Sequence, residues 1–115
     1  MPRRTAVAIA RLVDAELAQI ADQRVRLLIQ ALRVPPTCHM RQWDYGLAGE
    51  QYACWTVAVH APSGSAIVFS DDGFGPQRPW GLVGIDHLWF GMDRGWFATL
   101  EEAVRESFAW SEAAE

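Results

Sequence analysis

The sequence predicts a single α+β domain over residues 1–115, with a long N-terminal helix, a three- to four-stranded antiparallel meander and a short C-terminal helix. Three observations predict this class. Apolar residues recur at helical spacing in the first third of the chain, alternate with polar residues in the middle, and follow a helix-capping signal near the end. With 115 residues, half of them apolar, the chain has the size of one domain with one buried core.

The first predicted element is a helix from Thr5 to Arg33. The run from Val34 to Pro36 ends it, because a residue before proline avoids the helical conformation and proline has no N–H to donate. An alternative is that the segment from Asp22 to Arg24 divides the element into two helices. The apolar residues at spacings of three, four or their sums are Ile9, Val13, Leu17, Ile20, Leu28 and Leu32.

Three strands are predicted within residues 38–46, 52–60 and 65–73, each closed by glycine, proline or small polar residues. A fourth is expected within residues 82–90, with no definite ends because Gly84 and Gly91 interrupt its pattern. One face of the second strand is predicted to meet the helix. Its residues are Ala53, Trp55, Val57 and Val59, and those of the opposite face are Tyr52, Cys54, Thr56 and His60.

The C-terminal helix is predicted from a capping box. Thr99 and Glu102 have the spacing at which an N-cap residue and a glutamate satisfy each other's backbone amides. Leu100, Val104 and Phe108 then repeat every four residues, which predicts one apolar stripe against the sheet or the first helix.

Charge is unevenly distributed along the chain. The formal net charge is −4, all ten basic residues are arginines, and lysine and asparagine are absent, which indicates a GC-rich bacterial source. Residues 1–33 contain six arginines and three acidic residues, whereas residues 34–115 contain four arginines and eleven acidic residues. An acidic body repels phosphate backbones, so nucleic acid is not an expected partner. One interpretation of the basic N-terminal helix is a phosphate-binding arm; the interpretation that we favour is that the helix docks on this acidic body.

The sequence predicts no membrane segment, metal or cofactor. No apolar run reaches the roughly 18 residues of a membrane span, and a cytoplasmic location is expected. The histidines have no metal-ligand spacing, and Cys38 and Cys54 form no C-x-x-C motif, so both are expected to be buried free thiols. No catalytic residues are predicted either, since pairs such as Asp86 and His87 arise by coincidence in chains of this size.

The segment SDDGFGPQRPWG, residues 70–81, is predicted to be a rigid loop between two strands. Its glycines permit positive φ and its prolines restrict φ, which preorganises the side chains it carries. One interpretation is that Phe74 and Trp80 plug the core while the aspartates cap turns. The other is that the loop presents a partner-binding group. The candidate contact residues are Asp71, Asp72, Arg78 and Trp80 in this loop, with Trp43 and Asp44 as exposed candidates elsewhere.

Several short motifs resemble those of small bacterial proteins of no known activity. They are WDYG, CWTV, GFGPQRPWG and GMDRGWFATLEEAVRES, and the resemblance covers roughly residues 43–110. The size, acidity and single-domain α+β form are similar to those of toxin-neutralising immunity proteins. This resemblance implies a protein partner.

The leading hypothesis is a protein-binding module, such as an immunity-type inhibitor of a basic partner. The alternative is a small-molecule or sugar-binding protein, or an enzyme, with a tryptophan-lined pocket to which Asp71, Asp72 or His87 supplies polar contacts. A homo-oligomer formed through an apolar helix face is a third hypothesis.

Overall fold

The computed structural model describes residues 4–114 and shows the α+β class that the sequence predicts. Helices lie at both ends of the chain, and an antiparallel sheet lies between them. The sheet has five strands, not three to four, in the order β1-β2-β3-β4-β5. The elements are α1 (Ala6–Gln19), α2 (Gln23–Leu32), β1 (Arg33–Gln42), β2 (Gln51–His60), β3 (Ser65–Phe69), β4 (Trp80–Gly84), β5 (Trp96–Phe97), α3 (Leu100–Arg105) and α4 (Phe108–Ala114).

The N-terminal helical segment is divided, as the alternative prediction has it. Thr5 caps α1 by accepting a hydrogen bond from the Ala8 amide at 3.1 Å. Ile20 then adopts an extended conformation, and Asp22 caps α2 by accepting from the Arg24 amide at 2.9 Å. Aspartate is favoured at a helix N-cap and disfavoured in a helix interior. The break between α1 and α2 therefore falls at Asp22, whose side chain can accept from the unpaired amides at the start of α2.

The prolines end α2, as predicted, but they lie inside a strand that starts earlier than expected. β1 begins at Arg33 and includes Pro35 and Pro36, whereas the predicted strand began at Cys38. β1 is an edge strand of the sheet. Proline has no backbone N–H, and an edge strand tolerates this because no further strand needs that donor on its outer side.

The fourth strand also begins earlier than predicted. Trp80 pairs with Phe69 in β3 and with Phe97 in β5, so the last two residues of the 70–81 segment belong to β4. β5 contains two residues and was not predicted, because no alternation can be read from so short a strand.

The main core lies between the helices and one face of the sheet. Trp55 and Val57 of β2 belong to it, which confirms half of the predicted helix-facing set. Both N-terminal helices and α3 contribute their apolar stripes. The buried residues of this helix-side core are Ile9, Val13, Leu17, Ile20, Val25, Ile29, Trp55, Val57, Ala58, Ile67, Phe69, Trp80, Leu100, Ala103 and Val104.

The prediction that Val59 faces the helices is wrong. The pairing of β2 with β3 shifts between Thr56 and Ala58, so the strict alternation of side chains ends there. Ala58 joins the helix-side core, and Val59 packs on the opposite face with Cys54.

The opposite face of the sheet is covered by loops, and we call its packed side chains the loop-side core. The segment that follows β4 crosses this face to reach β1, where the Gln42 amide donates to the Leu88 carbonyl at 2.7 Å and Phe90 donates back to Gln42 at 2.8 Å. The buried residues of the loop-side core are Cys54, Ala66, Val68, Val83, Phe90 and Trp96, with Trp43, Tyr52, Val59, Phe74 and Ile85 packed against them.

The C-terminal segment forms two short helices, which corrects the prediction of a single one. Ser107 separates them, because its hydroxyl donates to the Val104 carbonyl at 2.6 Å and accepts from the Trp110 amide at 3.2 Å. The predicted stripe holds for Leu100 and Val104, which are buried, but Phe108 is 67% exposed. The change of direction after Ser107 turns Phe108 away from the core.

The capping residue of α3 is the one predicted. The Thr99 hydroxyl accepts from the Glu102 amide at 3.2 Å and donates to the Glu102 carboxylate at 3.0 Å. The reciprocal contact therefore joins two side chains and does not reach the Thr99 amide. The Leu100 amide is satisfied by Glu16 of α1, at 2.7 Å, which ties the start of α3 to the N-terminal helix.

Thr99→Ala should lower the free energy of unfolding by about 0.5–2 kcal/mol, because the Glu102 amide loses its acceptor. Urea denaturation followed by circular dichroism measures this effect. Thr99→Ser keeps the hydroxyl and is the matched control, with a midpoint close to that of the wild type. An unchanged midpoint for Thr99→Ala would show that this cap contributes nothing to the start of α3.

None of the helices in the described part of the chain has the length and apolarity needed to cross a bilayer.

Candidate protein-binding surface

The loop between β3 and β4 is closed at its base by a buried serine. The Ser70 hydroxyl donates to the Ala53 carbonyl at 2.8 Å and accepts from the Asp72 amide at 3.1 Å. The Ser70 amide donates to the Pro79 carbonyl at 2.9 Å, so the two ends of the loop are joined. The loop is therefore fixed in position by hydrogen bonds to itself and to β2.

A glycine allows this loop to lie directly on the loop-side core. Gly73 has a φ of +63°, and a Cβ there would come within 2.5–2.6 Å of the Phe90 ring. Any other residue would be strained in its backbone and would also displace that ring.

Trp80 lies in the core, as the first interpretation of the loop has it. Its side chain is 3% exposed, and its ring contacts that of Phe69 at 4.9 Å between centroids. The interpretation of Trp80 as a partner contact is thereby corrected, because the ring has almost no surface to offer. The physical reason is that Trp80 already belongs to β4, whose pleat directs it into the helix-side core.

Asp71 forms an ion pair that links the loop to the N-terminal segment. Arg4 donates from Nε and Nη2 to the two carboxylate oxygens, at 2.6 and 2.9 Å, and its guanidinium lies 5.3 Å from the centre of the Phe69 ring. These hydrogen bonds raise the pKa of Arg4 above its usual value. At this contact an arginine that precedes α1 pairs with an aspartate of the acidic body, so Asp71 already has a cationic partner within the protein.

Trp43 joins the two regions from which contact residues were predicted. Its ring centroid is 5.7 Å from that of Phe74 in the 70–79 loop and 6.0 Å from that of Tyr45 in its own loop. The predicted exposure of Trp43 is only partial, because the residue is half-buried and its indole N–H is enclosed with no acceptor among the described residues. Trp43 therefore packs beneath the exposed residues of these two loops.

The residues that this packing leaves exposed form one candidate surface. Tyr45 is 58% exposed while its ring rests edge-on against Phe74 at 5.9 Å, and Leu47 is 74% exposed. Asp44 and Arg78 are exposed, and Asp72 is half-buried. We call this set, Asp44, Tyr45, Leu47, Asp72 and Arg78, the loop surface.

No family model, curated protein or solved structure matches the chain.

Tyr45 and Leu47 were not predicted from the sequence. The available signal was an aromatic and an aliphatic residue in a glycine-containing connection between two strands, where the alternating pattern no longer requires apolar residues. Asp44, Asp72 and Arg78 were predicted, and the structure brings them to the same end of the sheet.

Cys54 and His60 are held in place by burial and by hydrogen bonding. Cys54 is buried, and burial raises its pKa to about 12, so the thiol stays protonated at neutral pH; Cys38 is half-buried, and both are free. His60 Nε2 lies 3.0 Å from the Glu112 carboxylate, and its Nδ1 lies 2.7 Å from the Ser63 hydroxyl, so the ring holds α4 against the turn after β2. Among the described residues, no three His, Cys, Asp or Glu side chains are grouped to hold a metal ion.

Proposed function

We propose that the chain is a protein-binding module that binds a basic protein through the loop surface, in the manner of an immunity-type inhibitor. The observation that carries the proposal is the exposure of Tyr45 and Leu47, at 58% and 74%, on a support of packed aromatic rings. Protein interfaces are built in this way, with a few aromatic or aliphatic anchors at the centre and polar residues at the rim.

The charge of the surroundings favours a basic partner. Asp44 and Glu50 are exposed in the same loop as Tyr45, and Asp72 lies in the neighbouring loop with Arg78. The whole chain has a net charge of −4. Carboxylates around an apolar centre accelerate association with a cationic protein, and salt screens this attraction over about 10 Å at 0.1 M.

The rigidity of the loops lowers the entropic cost of binding. The hydrogen bonds of Ser70 and the contact between Trp43 and Phe74 fix both loops before a partner arrives. Since each side chain or loop ordered on binding costs free energy, a preformed surface retains more of its contact energy as affinity.

A capture experiment with matched variants tests the proposal. The wild type, Tyr45→Ala/Leu47→Ala and the control Val7→Ala/Leu27→Ala are immobilised and incubated with bacterial lysate, and bound proteins are identified by mass spectrometry. Val7 and Leu27 are also exposed, at 61% and 54%, but lie on α1 and α2. All three proteins should be folded at the temperature of the experiment, which their melting temperatures check, because Tyr45 loses only two edge contacts with neighbouring rings and the other side chains are largely exposed.

The expected result is a basic protein that the wild type and the control retain and the Tyr45/Leu47 variant loses. Asp44→Asn should weaken its retention as well, and Asp44 is preferred to Asp71 for this purpose because Asp71 pairs with Arg4. Equal retention of every bound protein by all three chains would contradict the proposal.

The alternative of a tryptophan-lined pocket receives less support. Trp55, Trp80 and Trp96 are all buried in the two cores. Trp110 is half-buried against the helix-side core, with the guanidinium groups of Arg24 and Arg105 over its ring. These indoles have little or no free face on which a sugar ring can stack.

A further inference from the structure

Arg41 is a buried cation without an acidic partner. It lies on β1, is 2% exposed, and forms no ion pair with any described carboxylate. Its Nη1 donates to the carbonyls of His87 and Gly84, the latter at 3.3 Å, and its Nη2 donates to the Ile85 carbonyl at 3.4 Å. Carbonyl dipoles stabilise the charge but do not neutralise it, and a buried charge is costly unless it is paired.

One edge of the Arg41 guanidinium is almost unused. Its Nε is enclosed and has no acceptor among the described residues, and the adjacent Nη2 has only the long contact to Ile85. The same edge of Arg4 holds both oxygens of Asp71, at 2.6 and 2.9 Å. Two parallel N–H groups on this edge match the two oxygens of a carboxylate.

The nearby thiol does not supply the missing negative charge. The Arg41 guanidinium opposes the rise in the pKa of Cys54 through its charge and through a hydrogen-bonding contact with the thiol, yet burial still raises that pKa to about 12. Cys54 is therefore a neutral neighbour at physiological pH.

Arg41 borders a cleft of about 520 Å³ between β1 and the segment that crosses from β4. Such a volume suits a small organic molecule. The cleft is lined by both apolar and polar residues. The lining residues on which the proposal depends are Arg41, Val59, Ala66, Ile85 and Asp86.

We propose that this cleft binds a small organic monocarboxylate, with its carboxylate on the Nε and Nη2 edge of Arg41 and its apolar part against Val59, Ala66 and Ile85. Because the Nε atom is enclosed, the carboxylate takes the place of the long contact to the Ile85 carbonyl, and the 84–88 segment adjusts. The exposed Asp86 at the rim repels a second anionic group, which favours a monocarboxylate over a dicarboxylate.

Titration of the isotope-labelled protein with butyrate, followed by nuclear magnetic resonance, tests this inference. Butyramide, which has the same size and no charge, is the control ligand, and succinate and inorganic phosphate are comparison anions. Butyrate should shift the Arg41 Nε–H signal and the amides of residues 84–88 in a saturable way, with a dissociation constant of about 1 mM or tighter for a ligand of this size. Butyramide, succinate and phosphate should each bind at least ten times more weakly.

Two variants distinguish a binding role for Arg41 from a purely structural one. Arg41→Lys keeps the charge but loses the paired N–H edge, and should weaken butyrate binding at least ten-fold. Val59→Phe fills the cleft without altering Arg41, and should abolish the butyrate shifts while the chain stays folded. Val7→Phe, an exposed position on α1, is the matched control and should bind butyrate like the wild type.

Butyrate shifts that do not saturate, that are equal in Val59→Phe, or that butyramide reproduces would overturn the proposal. Saturable binding of phosphate without binding of butyrate would overturn it too, because it would assign the cleft to inorganic anions. If Arg41→Lys does not fold, Val59→Phe and the ligand comparison still decide the question.

Discussion

Trp80→Ala should lower the free energy of unfolding by about 3–5 kcal/mol, the usual cost of deleting a buried large aromatic side chain. The indole is 3% exposed, contacts Phe69 at 4.9 Å, and lies in the helix-side core. The substitution removes this contact and leaves a cavity that the surrounding strands and helices fill only in part. Since the free energy of unfolding of a domain is about 5–15 kcal/mol, this substitution should remove a large part of it.

Thermal and urea denaturation measure this loss, and Trp89→Ala is the matched control. Trp89 is 40% exposed, and its backbone, not its side chain, bridges to Gln42. Its replacement should therefore cost much less than that of Trp80. A small effect of Trp80→Ala, similar to that of Trp89→Ala, would mean that the indole does not support the core and would reopen its interpretation as a partner contact.

Gly81→Ala should also destabilise the fold strongly, by about 1–3 kcal/mol or more, because it overpacks a buried site. A Cβ at Gly81 would lie 2.6–2.7 Å from three atoms of the Trp96 indole. That ring cannot easily move, since its Nε1 donates to the Phe90 carbonyl at 2.8 Å and its face stacks on the Phe90 ring at 5.0 Å.

A double-mutant cycle with Trp96→Phe separates this clash from a general effect of alanine in β4. The smaller ring gives the new methyl group more room, so Gly81→Ala should cost less in the Trp96→Phe background than in the wild type. Gly95→Ala is the control, because its Cβ would meet the nearest atom, the Leu82 carbonyl oxygen, at an ordinary 3.5 Å. Equal costs for Gly81→Ala in both backgrounds would contradict the proposed contact.

Local signals in the sequence predicted the main strands and the start of α3. Thr99 was recognised because a short polar side chain at a helix start satisfies backbone amides without help from distant residues, whereas the break at Asp22 was only an alternative and its capping role was not predicted. Trp55 and Val57 were placed correctly because the strand pattern is regular as far as Thr56.

Features that depend on distant parts of the chain could not be predicted in this way. The irregular pairing between Thr56 and Ala58 sends Val59 to the opposite face, and nothing in the local pattern announces it. Phe108 fits a helical stripe by spacing alone, yet the hydrogen bonds of Ser107 end α3 before the stripe is complete.

In the candidate sites, too, local signals were recognised from the sequence and contacts between distant residues were not. Asp72 and Arg78 were predicted because glycine and proline mark their loop, and Asp44 because it lies beside Trp43, but the packing of Trp43 on Phe74 that joins the two loops is a contact between distant residues. Arg41 was not found at all. A single arginine in a strand is expected to point to solvent, and its burial depends on three carbonyls more than 40 positions further along the chain.

The loop surface is tested most directly by the equilibrium dissociation constant of the captured basic protein, measured by isothermal titration calorimetry. The wild type, Tyr45→Ala and Val7→Ala are compared under the same salt conditions, after each has been shown to be fully folded at the temperature of the measurement. An anchor residue contributes about 2 kcal/mol or more, so Tyr45→Ala should raise the dissociation constant about 30-fold while Val7→Ala leaves it unchanged. Equal dissociation constants for all three proteins would contradict the account and would place the partner on another face of the domain.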